Sequence, residues 1–204
     1  MSNGLRLWII AGGFGGALFA MNLAFGAGLT YASGQPGLSG LVTGFTTAFV
    51  LFGVVAITRR FGAVTIAFTL YCLLAVPTVL MGPPGIYKIL VGFAAGLALD
   101  IVLYVAKYRF VGFLIGFVGY VAVLLVGTYG AFMYLNLPQI ERFRSAMLAL
   151  AAIFTVQGWV GAWASRKFLV PRIKSIPAFN LMGGSRLPAI EDEGGGRKDL
   201  PKRP

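Results

Sequence analysis

Apolar runs separated by short polar or turn-forming breaks set the pattern of this chain. Residues 7–31 (LWIIAGGFGGALFAMNLAFGAGLTY) form a first run, closed by the link Ala32-Ser33-Gly34-Gln35-Pro36. A second covers residues 38–57 and stops at Arg59-Arg60. A third extends from about Phe61 to Leu80, with Pro77 near its end predicting a kink or an early stop. The turn Met81–Gly85 leads into a fourth, residues 86–106, which Lys107 and Arg109 close. A fifth runs from about Val111 to Leu135 and breaks at Asn136-Leu137-Pro138-Gln139. The sixth covers about Ser145 to Ala164. Runs near 20 residues match the hydrocarbon thickness of a bilayer at 1.5 Å per helical residue. The predicted fold is therefore all-α, with six transmembrane helices in residues 1–168. The first run exceeds the 7–15 apolar residues of a signal-peptide core, so it is expected to be retained. Residues 169–204 are Pro-, Gly- and charge-rich and bury too little apolar surface to fold alone; they are expected to form a mobile basic tail.

Composition agrees with the pattern. The chain is 58% hydrophobic and 11% charged, against about a quarter charged in soluble domains. That is the balance of a multi-pass protein of the cell membrane. The net charge of +11 does not point to nucleic acid, because 9 of the 17 basic residues follow Ala164 beside a predicted span, where they act on topology and lipid. With the tail and Arg6, Arg59, Arg60, Lys107 and Arg109 on one side, the positive-inside rule places both termini in the cytoplasm. The Ala32–Pro36 link, the Gly-Pro-Pro-Gly turn and the Asn136–Arg144 loop then share the outer face.

The chain has no His and a single Cys, Cys72. Imidazole acid–base chemistry, His or thiolate metal sites and an internal disulfide are thereby excluded within it. No paired acid and base are visible, so the chain is not expected to be an enzyme, and no cofactor is expected.

A few positions interrupt the apolar runs. Lys88 lies one turn into the fourth; it either snorkels to the outer interface or pairs with a polar or anionic solute. Asp100, deeper in the same run, needs a partner inside a membrane, and Lys107, seven residues on, is a candidate for a structural pair. Tyr129, Tyr134 and Asn136 line the outer half of the fifth run, as interfacial anchors or as stacking and hydrogen-bonding groups for a flat solute. Gln157 and Trp159 interrupt the sixth, and the depth of Gln157 is poorly explained by anchoring. Arg59-Arg60 reads as topology. Small residues recur at fourfold spacing in the first run, Gly12, Gly16, Ala20 and Ala24, flanked by Ala11 with Gly15 and by Gly13 with Ala17. Such rows let a helix approach closely, either within this chain or from a membrane partner.

Six short spans, a small-residue first span and a Pro-Gly turn before a Gly-rich fourth span with a late Asp form a recognisable set. With Arg59-Arg60-Phe61-Gly62-Ala63 and Gly82-Pro83-Pro84-Gly85, residues 5–168 resemble the S components of energy-coupling-factor transporters, in particular the thiamine-precursor branch. The resemblance implies a subunit that binds a vitamin or its precursor near the outer face. The implied pocket maps to Lys88, Tyr129, Asn136, Gln157 and the Tyr31–Gln35 region, Tyr31 and Gln35 included. It further implies that Ala11, Gly12, Gly15, Gly16 and Ala20 meet a transmembrane coupling subunit; the family's usual residue there is alanine, whereas glycine fills several of these positions. No P-loop is present, so ATP would be hydrolysed by separate ATPase subunits. The other reading of the same small-residue faces is a structural or assembly subunit of a larger membrane complex.

The orientation is directly testable. Cysteine reporters at residues 190 and 85, in a background lacking Cys72, should label from opposite sides of the membrane. Labelling of both from outside would overturn the charge argument.

Overall fold

The computed structural model describes residues 3–27, 38–78, 80–81, 84–136 and 140–175. Tyr31 and Gln35, the Gly82-Pro83 pair and the tail beyond residue 175 lie outside the described residues. Every regular element described is helical. Helix α1 (Asn3–Asn22) ends in a π turn, Leu23–Ala27; α2 is Leu38–Thr58, α3 Ala63–Ala75, α4 Tyr87–Val105 and α5 Phe110–Tyr134; α6 (Ile140–Ala164) continues through a π turn, Ser165–Leu169, into the short α7, Val170–Lys174. Four segments are long and apolar enough to cross a membrane: Gly4–Gly26, Tyr87–Val105, Phe110–Tyr134 and Phe143–Ile173. The apolar stretches Val42–Thr58 and Ala63–Ala75 are shorter. This is a membrane-embedded helical protein.

The helices close a ring in the order α1, α3, α4, α5, α6, α2 and back to α1. From Val50 to Ala56, α2 is buried at every position, because α1, α6, the second π turn and α7 cover it from different sides. A helix that is apolar all round, as this segment is, belongs in an interior.

Two boundaries differ from the sequence pattern. The third run was expected to reach Leu80, but α3 stops at Ala75. Pro77 has no N–H for Leu73 and its ring clashes with that turn, so the helix ends just before it. At the other end of the chain, helix continues past residue 168 to Lys174, with Pro171 tolerated in the opening turn of α7 after the π turn resets the backbone.

The brevity of α3 creates a problem that α4 solves. Thirteen residues span only about 20 Å, less than the ~30 Å of a hydrocarbon core. In a buried, low-dielectric setting the unpaired N–H groups at one end and C=O groups at the other cannot be solvated. At the first end, Asp100 accepts hydrogen bonds from Val64 N (3.4 Å), Thr65 N (2.8 Å) and Thr65 Oγ1 (2.6 Å). At the last end, the Ala75 carbonyl accepts from Thr78 N (3.0 Å) and Thr78 Oγ1 (2.9 Å), and Lys88 Nζ adds bonds to it (3.0 Å) and to the Thr78 carbonyl in the turn beyond (2.6 Å). Both side chains are fully buried. An acid thus sits at the positive end of the helix dipole and a base at the negative end. They lie twelve residues apart on α4, about 18 Å, close to the length of the helix they hold.

Between them stand Gly92 and Gly96, completing a fourfold row with Lys88 and Asp100. A Cβ on Gly96 would lie 2.8 Å from the Thr65 Cα, and one on Gly92 would collide with Cys72 Sγ. The glycines bring α4 near enough for the two charges to reach the α3 backbone.

Replacing Asp100 with Ala should leave those N–H groups buried and unpaired and cost about 3 kcal/mol. Thermal unfolding in detergent should show a much lower Tm for Asp100→Ala and Gly96→Leu than for Glu141→Ala, whose surface ion pair with Arg144 contributes little. Equal melting of Asp100→Ala and Glu141→Ala would remove the clamp.

Candidate functional site

Inside the ring, three buried polar side chains outside the clamp meet. Asn22, the last residue of α1 before its π turn, is almost wholly buried, as are Thr46 on α2 and Tyr71 on α3. The Thr46 hydroxyl donates to Asn22 Oδ1 in a short hydrogen bond and also lies 3.0 Å from the Val42 carbonyl. The Tyr71 hydroxyl lies beside the Asn22 side chain. Neither Asn22 Nδ2 nor Tyr71 OH makes a well-formed hydrogen bond among the described residues, although the two groups lie close enough to interact with each other. A buried donor and hydroxyl that meet only in poor geometry leave hydrogen-bonding capacity unused, which is uncommon in a protein interior.

Aromatic rings wall this cluster. Phe68 stacks on Tyr71 at 5.3 Å and meets Tyr120 edge-on at 5.0 Å. Tyr120 stacks on Phe117 at 5.1 Å. On α6, Gly158 leaves the space that the Phe117 ring occupies. Its neighbour Gln157 presses against Gly44 of α2, and Gln157 Oε1 is a third buried atom without a partner. These contacts circle the bundle: Asn22, Tyr71, Phe68, Tyr120, Phe117, Gly158 with Gln157, Gly44, Thr46, and Asn22 again. Gly44 and Thr46 point about 200° apart on α2 at 100° per residue. Asn22 and Gln157 therefore approach α2 from opposite sides.

Of the expected site residues, Gln157 alone combines a buried polar atom with no partner. Lys88 bonds the carbonyls of Ala75, at the end of α3, and of Thr78 just beyond it. Tyr129 is half-buried, and Asn136 is exposed at the end of α5 with φ 49. The structure does not bring these four residues together at one described contact. Tyr134 is 87% exposed, as an interfacial anchor would be. Asp100 bonds the start of α3 rather than Lys107, which is exposed. Asn22, Thr46 and Tyr71 were not singled out in the sequence. The signal available was Asn22, an amide inside an otherwise apolar run; a polar side chain at that depth needs a partner or a task.

The small residues of α1 divide between two faces. Ala11 is fully buried, a Cβ on Gly12 would lie 3.3 Å from Leu70 Cδ1, and one on Gly15 would lie 2.5 Å from the Ala67 carbonyl oxygen, so this row packs on α3. Gly16 has nothing within 4 Å of a Cβ position, and Ala20 is exposed.

No family model, curated protein or solved structure matches the chain.

The division on α1 yields a paired test. Gly15→Leu should prevent α1 from docking on α3 and leave little monodisperse protein by size-exclusion chromatography. Gly16→Leu should fold with a Tm close to wild type. Equal damage from both, or damage from Gly16→Leu alone, would show that α1 is rotated differently.

Proposed function

We propose that this chain is the solute-capturing subunit of a membrane uptake system: a six-span protein of the cell membrane with both termini cytoplasmic. It takes a small water-soluble vitamin or precursor from outside and works with a transmembrane coupling subunit and ATPase subunits. The observation that carries this reading is the adjacent pair Asn22 Nδ2 and Tyr71 OH, neither in a well-formed hydrogen bond, buried against the rings of Phe68 and Tyr120. A small flat solute would supply the missing hydrogen bonds and stack on the rings, as ligand sites commonly do. Asn22 runs directly into a π turn, a distortion often found at functional sites. Beyond that turn comes the link carrying Tyr31 and Gln35, nine and thirteen residues after Asn22 in the sequence. Gln157 belongs to the proposal as a second polar position across α2.

The six-span arrangement rests on the clamp, since a helix as short as α3 can lie within a bilayer once both its ends are bonded. A second reading, a structural subunit of a larger complex, is favoured by the outward small residues Gly13, Gly16, Ala17 and Ala20 on α1. Under the first reading this face meets the coupling subunit.

Native mass spectrometry of the purified protein should find a co-purifying small molecule. Titration with that molecule should show Asn22→Ala and Tyr71→Phe binding about 2–10-fold more weakly than wild type, and the exposed control Tyr134→Phe binding unchanged. A protein that carries no solute, or one whose affinity ignores both substitutions, would leave the assembly reading in its place.

A further inference from the structure

One end of the ring gathers cations from three turns. The α2–α3 turn carries Arg59 and Arg60, the α4–α5 turn carries Lys107 and Arg109, and the π turn closing α6 carries Arg166 and Lys167. Side-chain contacts tie these turns together. Phe61 meets Tyr104 edge-on at 5.9 Å, which joins the first turn to the end of α4. The Arg166 guanidinium lies over the Phe110 ring at 5.0 Å, which joins the start of α5 to the end of α6. Lys167 lies over Trp163 and Phe168, at 5.1 and 5.5 Å. Asp100, the nearest acid in the described chain, is buried and bonded to the first amides of α3. At the opposite end, Arg144 pairs with Glu141 at 3.0 Å.

The apolar groups beside these cations are exposed. Phe61, Ile101, Tyr104 and Val105 all face outward, Val105 at 76%. Arg60, Lys107 and Arg109 are exposed next to them. A ligand that fits both features carries a negative head and a hydrocarbon body.

We propose that this end binds an anionic phospholipid. Its phosphate sits between the α2–α3 turn (Arg59, Arg60) and the α4–α5 turn (Lys107, Arg109), and an acyl chain lies along Phe61, Tyr104 and Val105 on the outer side of α4. The cations supply charge attraction at the membrane surface, the arginines can chelate phosphate oxygens, and the rings give the chain an apolar bed. The contiguous apolar face favours a lipid over free phosphate or an acidic protein segment. This site is independent of solute capture.

The test uses full-length, delipidated protein in detergent, titrated with phosphatidylglycerol or with phosphatidylcholine of the same acyl chains and followed by native mass spectrometry. Phosphatidylglycerol should be retained preferentially. Lys107→Gln should weaken its binding about fivefold and the Lys107→Gln/Arg109→Gln pair about thirtyfold. Phosphatidylcholine retention should not change, and Arg144→Gln at the far end should have no effect. Equal retention of the two lipids by wild type would overturn the proposal, as would an Arg144→Gln loss matching that of Lys107→Gln. Displacement of phosphatidylglycerol by equimolar glycerol 3-phosphate would also overturn it, by making the site one for a soluble phosphate. Should the double variant fail to stay monodisperse, Arg60→Gln, Lys107→Gln and the wild-type lipid comparison still decide the outcome.

Discussion

The arrangement depends on a helix whose two ends are bonded by its neighbour. In water, the terminal amides and carbonyls of α3 would be solvated at little cost. In a low-dielectric interior they are not, and each unpaired group costs several kcal/mol on the scale that forbids open backbone in lipid. Asp100 and Lys88 answer both ends from α4, with the sign of each charge matched to the dipole end it meets. Neither charge would be stable alone at that depth. The α3 backbone and the α4 charges therefore each remove the other's desolvation problem, and Gly92 and Gly96 set the approach that allows it. Because the bonds fall at both ends, α3 can neither slide along α4 nor turn against it. Tyr71, one turn before the Ala75 carbonyl, is held facing the ring interior beside Asn22.

From Tyr71 the interior continues as rings. Phe68, Tyr120, Phe117, Phe113, Phe52 and Phe110 follow one another at centroid distances of 5.0 to 5.9 Å, and the series ends under the Arg166 guanidinium. Except for Phe110, which is half-buried, these rings are nearly inaccessible. The axis between the polar level and the basic end is consequently filled with side chains. Under the proposed function, a solute held at Asn22 would have no straight route to the basic end unless helices part, so such a subunit would hold a solute rather than conduct it.

The apolar runs made the helices and the membrane class legible, because span length and hydropathy are local properties. Pro77 forecast an early stop to the third run, yet not its consequence. Asp100 was legible as a group needing a partner, but sequence spacing offers only neighbours on the same helix, such as Lys107. Its actual partners, Val64 and Thr65, lie 36 and 35 residues away. Lys88 read as an interfacial cation for the same reason: the carbonyls it bonds belong to the end of another helix and the turn beyond it. In retrospect the row Lys88, Gly92, Gly96, Asp100 carries the clamp in one line of fourfold spacing, with charge at both ends and small residues between. Asn22 was equally visible as a lone amide in an apolar run, whereas its pairing with Thr46 and Tyr71 depends on the closure of the ring.

The first helix shows why fourfold spacing by itself does not name a partner. Four residues advance a helix by about 400°, so a fourfold row drifts about 40° per step and winds slowly around the surface. Gly12, Gly16, Ala20 and Ala24 are one such row, but its members do not share one environment. Gly12 touches Leu70 within the chain, Gly16 meets nothing within 4 Å, and Ala20 and Ala24 are exposed. Gly15, in the neighbouring row, lies hardest against α3. The row therefore starts as packing inside the subunit and ends as open surface. A helix that must seat on its own bundle and also present a face to a second membrane protein gains from this winding, because one repeated residue type serves both contacts. It also sets the limit of each: substitutions at Gly13, Gly16, Ala17 or Ala20 can disturb an outside contact without first disturbing the fold, whereas those at Gly12 or Gly15 cannot.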